Sequence, residues 1–147
     1  MQAVRVMTLD DFGESQGWFA RKQKISVLKV DVEGYEPHVF NGAKRLLLSG
    51  QVENLLMEFA SDKTRQKEQQ QAHRELAETM LHQILAGGFK LHHIGNGRGT
   101  DIKGALEQVS SAVKSRDAKA LFSKLFAVCP KIGRREECQM NLWWKQS

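Results

Sequence analysis

Ile25-Ser26-Val27-Leu28-Lys29-Val30-Asp31-Val32, followed by Glu33-Gly34-Tyr35-Glu36-Pro37, is the stretch that decides the fold. Residues 25–32 are β-branched and aliphatic on both alternating faces, the pattern of a central strand covered on both sides in a mostly parallel sheet. The next five residues read as a turn into a helix. Gly34 permits a positive φ, Pro37 suits a first helical turn, and Glu33 and Glu36 lie where a helix N-terminus favours acids. Val39, Phe40, Ala43, Leu46 and Leu47 recur at three- and four-residue steps, so one helix is expected over 37–49, closed by Gly50.

Residues 52–59, with Leu55, Leu56 and Met57 at their centre and Glu58 near the carboxyl end, read as a second buried strand. Strand, helix and strand make a βαβ unit, which argues for a doubly wound α/β domain whose ligands sit beyond the carboxyl ends of the strands. Beyond a polar connection, a helix over 67–86 carries Ala72, Leu76, Met80 and Ile84 at four-residue spacing and stops at Gly87-Gly88. Phe89 to Ile94 is a third strand candidate, Gly95 to Thr100 a surface loop, and 104–127 a helical region weakened by its serines. A charged loop over 131–137 precedes a terminal strand from Cys138, and Val4 to Thr8 is a short strand candidate at the other end.

The chain has 147 residues, 41% hydrophobic and 27% charged, which fits one domain with a real core. No apolar run approaches a membrane span, and the start lacks the pattern of a signal peptide, so the default expectation is a cytoplasmic protein. The net charge of +5 is uneven: residues 1–60 carry 7 basic against 8 acidic side chains, and residues 61–147 carry 15 against 9. The basic residues are scattered among acids without interleaved aromatics, so no nucleic-acid partner is expected. Cys129 and Cys138 lie nine apart with no CxxC and no nearby His, which suggests reduced thiols rather than a zinc knuckle or a disulfide framework.

Chemistry concentrates around the first strand. Side chains two apart share a strand face, so Lys29, Asp31 and, if the extended path persists, Glu33 point the same way. Charges are costly in a buried strand unless paired, and their placement at its carboxyl end beside a glycine turn favours a site. With Glu36 the pattern becomes Asp-x-Glu-x-x-Glu. Such a set could hold a hard cation, act as a general base, or accept hydrogen bonds from a hydroxyl-bearing ligand. Equally, Asp31 could simply pair with Lys29 while Glu33 and Glu36 complement the helix dipole. The histidines give no metal site: His73 and His82 face opposite ways on one helix, and His92 and His93 alternate across a strand. Gly95-Asn96-Gly97-Arg98-Gly99 has its third glycine one residue too early for a dinucleotide fingerprint.

Thr8-Leu9-Asp10-Asp11, the run Lys29-x-Asp31-x-Glu33-Gly34-x-Glu36, the helix signature Gly42-Ala43-x-x-Leu46-Leu47, and Leu56-Met57-Glu58-Phe59 together resemble the FkbM-type methyltransferase family. The match covers residues 4–60, with 61–147 a divergent tail. The resemblance implies a single, amino-terminally truncated domain of the seven-stranded Rossmann-like class, here its carboxyl-terminal half. It implies S-adenosylmethionine as cofactor and O-methylation of a hydroxyl on a sugar or secondary metabolite. The family's glycine-rich cofactor turn has no counterpart before Val4, so cofactor-binding residues stay unassigned, and a non-catalytic binding module of the same fold is the alternative. By analogy Asp31 and Glu33 are the catalytic candidates, and Lys29, Gly34, Glu36 and Glu58 the substrate-binding ones. A strand edge left without its neighbour is expected to promote self-association.

Overall fold

The computed structural model describes the backbone of residues 3–62, 67–96, 102, 104–129, 131–132 and 135–147. Among these residues, six helices and five strands follow one another as α1 (Leu9–Ser15), β1 (Ile25–Val30), α2 (Glu36–Asn41), α3 (Lys44–Leu48), β2 (Val52–Asp62), α4 (Lys67–Ala86), β3 (Phe89–Asn96), α5 (Ala105–Ser115), α6 (Ala118–Val128), β4 (Lys131–Ile132) and β5 (Arg135–Gln146). The sheet runs in the order β1-β2-β5-β3, with β4 pairing on β5.

The α/β class and the βαβ unit are as expected, but the sheet is mixed rather than mostly parallel, with five strands among the described residues. Only β1 and β2 run parallel, with Val30 opposite Met57. β5 lies antiparallel between β2 and β3. The apolar runs at 25–32 and 52–59 carried a parallel signal, whereas the direction of β5 depends on how the chain returns after α6.

β1 is an edge strand, not a central one. Its alternating apolar residues do not mean two covered faces: Val30 is buried, while Val27 is 54% exposed. The opposite face of the sheet carries the core, where Leu55, Met57, Phe59, Leu142 and Trp144 meet Leu81 and Ile84 of α4 and Leu121 of α6. The aromatic rings of Phe59 and Phe122 meet edge-on at 5.7 Å.

Other boundaries move for identifiable reasons. The expected helix over 37–49 is two helices, broken at Gly42-Ala43. Asp10 explains the break: its carboxylate accepts from the backbone amides of Arg45 and Leu46, both at 2.9 Å, and so caps the start of α3 from another element. Gly42 allows the close approach of α1, since a Cβ there would stand 3.1 Å from Thr8 Cβ. Thr8 itself is the N-cap of α1, accepting from Asp11 N at 3.0 Å, so Val4–Thr8 is not a strand. The helical region 104–127 splits at Arg116, and the charged loop over 131–137 is largely β4 and the start of β5. Cys129 is disulfide-bonded rather than a reduced thiol. The pairing of β4 with β5 folds the chain back past the end of α6, a return that sequence spacing alone does not reveal. The Gly97–Thr100 part of the glycine loop lies outside the described residues.

Candidate active site

The acidic run sits where β1 ends. β1 closes at Val30, two residues short of expectation, and Lys29 and Asp31 stay on the exposed face, their side chains joined at 2.8 Å. Glu33 and Gly34 then both adopt positive φ, +55° and +90°. Gly34 does so freely, but a glutamate in the left-handed region carries strain that the surrounding turn must hold in place.

Glu36 does the holding. It is 2% exposed, and its Oε1 accepts from the amides of Val32 at 3.1 Å and Gly34 at 3.2 Å. The carboxylate turns inward, pinning the loop that presents Asp31 and Glu33, while Pro37 starts α2 directly behind it.

β2 adds the third acid. Glu58 is 6% exposed on the same sheet face as Lys29 and Leu56, opposite Asn141 of β5 in register. A pocket of about 460 Å³ opens here, lined by Lys29, Asp31, Glu33 and Glu58 together with His93 and Asn141. Of the six residues singled out from the sequence, four therefore line one cavity, while Gly34 and Glu36 form the turn beneath it. His93, Asn141 and Trp143 are the additions. His93 stands opposite Trp143, and Asn141 bridges Glu58 and Gly95 in the ladder. Trp143 is fixed by its Nε1, which donates to Asn54 Oδ1 at 3.1 Å, and by the ring of His92 at 5.5 Å. Alternation along β3 and β5 was a usable signal for these three, but only once the antiparallel register is known. Among the described residues, no three His, Cys, Asp or Glu side chains gather as a metal site.

Lys29 holds the Asp31 carboxyl below its ordinary value, first by a hydrogen bond and then by its charge, and Glu58 contributes a further hydrogen bond. Asp31 in turn raises the Lys29 ammonium. A depressed acid contributes stability above its unfolded value and loses it as pH falls through the folded one. A raised amine contributes below its unfolded value and loses it as pH rises through the folded one. The pair is therefore intact throughout the neutral range. Both groups face solvent, so the readout is titration rather than stability. Following the Asp31 carboxyl carbon by NMR should give a midpoint below that of an ordinary aspartate, and Lys29→Met should move it upward. An unchanged midpoint in Lys29→Met would show that the ion pair does not form in solution.

The family model described as Methyltransferase FkbM domain matches residues 2–91, more than half of the chain. The chain belongs to the FkbM methyltransferase family. The matched FkbM segment contains α1 through α4 and the first residues of β3, and with them all of the acidic run and Glu58. His93, Asn141 and Trp143 fall beyond it, so the cavity joins the FkbM segment to the following strands. No curated protein and no solved structure matches the chain. No helix among the described residues is long and apolar enough to cross a membrane.

The FkbM family implies S-adenosylmethionine. The polar groups lining the cavity are carboxylates, which accept, an ammonium, which donates, and an amide and an imidazole, a set that suits a hydroxyl-bearing ligand. Among the described residues no glycine-rich turn closes a strand to cradle the methionine part of the cofactor. The described residues thus offer partners for a hydroxyl-bearing ligand but no cradle for the whole cofactor.

Proposed function

We propose that this chain carries the acceptor side of an S-adenosylmethionine-dependent O-methyltransferase acting on a hydroxyl of a sugar or secondary metabolite. The single observation behind the reading is the cavity at the carboxyl ends of β1 and β2, where Asp31, Glu33 and Glu58 converge within a family domain. In this reading Glu33 or Asp31 takes the proton of the bound hydroxyl, leaving an oxygen lone pair free for an electrophile. Lys29 and Glu58 border the acceptor and orient it, and Gly34 and Glu36 set the turn that aims the acids. The strain at Glu33 supports a functional rather than a decorative role.

Calorimetric titration with S-adenosylmethionine and its demethylated product, followed by methyl transfer to a panel of sugar hydroxyls, tests the reading. Asp31→Ala or Glu33→Ala should reduce transfer by about 10²- to 10⁴-fold, with melting unchanged. A second reading is a binding module of the same fold without methyl transfer. It is favoured by the edge of β1, which among the described residues pairs only with β2, and by the exposed Val27 beside it, which equally suit association with another copy. A folded chain that binds neither the cofactor nor its product would select this second reading.

A further inference from the structure

At the side of the sheet away from β1, β3 is the other edge, and among the described residues it pairs only with β5. The carbonyl of Gly88 faces β5, accepting from Ser147 N at 3.3 Å. Backbone groups alternate along an antiparallel strand, so the amides and carbonyls of Phe89 and Leu91 point outward. Further along, the carbonyl of Ile94 also points outward, where Ile102 N donates to it at 2.9 Å. The edge is thus capped at one end and open at the other.

α5 runs beside the open part. Between helix and strand lies a groove of about 600 Å³, walled by Leu85, Phe89, Leu91, Leu106, Val109 and Val113. Lys114 and Arg116, both exposed, stand at its α5 end, and no Asp or Glu lines it. The groove therefore offers three recognition elements side by side: backbone donors and acceptors, an apolar slot, and positive charge.

The geometry points to strand addition: this groove binds an extended peptide segment of a partner protein. The segment pairs its backbone with Phe89 and Leu91, sets an apolar side chain against Val109 and Val113, and carries carboxylates toward Lys114 and Arg116. An added strand places alternate side chains on one face, so one row enters the slot while the backbone satisfies the edge. A fatty acid would use the apolar wall and the cations but leave the outward backbone groups unpaired, and it is those groups that single out a peptide. The volume lies within the ordinary range of ligand pockets.

The test uses the full chain and a short capped fluorescent peptide whose slot-facing row is valine followed by glutamate, with threonine at the alternate positions, read by anisotropy at low salt. Saturable binding is expected. Methylating the alternate peptide amides that face β3 should weaken it at least about tenfold, because strand addition depends on them. The double variant Lys114→Glu with Arg116→Gly should weaken it by about tenfold at low salt and by less at high salt. Glycine is chosen because Arg116 has φ +54° at the end of α5, where glycine is unstrained and the fold is kept. On binding, the amides of Phe89 and Leu91 should gain protection from hydrogen exchange. No saturable binding, equal binding of the methylated peptide, displacement by decanoate without any effect of methylation, or protection mapped elsewhere would each overturn the proposal.

Discussion

Replacing Glu36 with alanine is expected to destabilise the chain by roughly 2–4 kcal/mol, because the amides of Val32 and Gly34 lose their acceptor in a buried turn. Thermal unfolding should fall by about 5–15 °C for a domain of this length. Glu36→Gln keeps a carbonyl oxygen at the same reach and should recover most of the loss. The pair of variants separates two roles. If the carboxylate serves only the turn, Glu36→Gln retains both stability and acceptor binding. If Glu36→Ala melts like the parent chain, the carboxylate does not pin the loop, and the strained geometry of Glu33 needs another cause. Because this turn aims Asp31 and Glu33, Glu36→Ala should also weaken the proposed methyl transfer in whatever fraction remains folded.

Trp144→Ala should have the largest effect of any single substitution, about 3–5 kcal/mol against the roughly 5–15 kcal/mol that holds a typical domain together. Trp144 is fully buried in β5, opposite Leu55 on one side and Leu91 on the other, so its ring fills the middle of the sheet's covered face. Its indole Nε1 is buried without a hydrogen-bond partner among the described residues. Trp144→Phe therefore removes an unsatisfied donor along with some volume, and it should cost well under half of the alanine change. Chemical denaturation of the two variants checks this. Equal losses would mean that the indole nitrogen is satisfied in solution.

Much of this architecture was legible in the sequence because its signals are local. The spacing of Leu76, Met80 and Ile84 marks α4, Gly50 and Gly87-Gly88 mark helix ends, and the apolar runs mark β1 and β2. The acidic site was legible for the same reason, since Lys29, Asp31 and Glu33 lie within five residues on one strand and turn. What escaped depends on distant partners. Asp10 splits one helix into two from 35 residues away. The covered face of β1 is decided by which elements pack on it, and alternating apolar residues cannot say whether they are covered once or twice. Burial of Glu36 also looks like helix-dipole decoration until the two amides it holds are seen. His93 and Asn141 join the cavity only through the register of β5.

That register has a consequence for biosynthesis. β5 is the last element in the chain order, yet it occupies the middle of the sheet, between β2 and β3. While a ribosome is still making α5 and α6, the β1-β2 pair and β3 have already emerged with no strand to join them. Each presents an open edge and an apolar face during that interval. The sheet can close only after the segment carrying Met140, Leu142 and Trp144 has left the exit tunnel. Closure of the sheet thus waits for the synthesis of β5, and a premature stop that removes only β5 would delete the centre of the sheet rather than trim its rim.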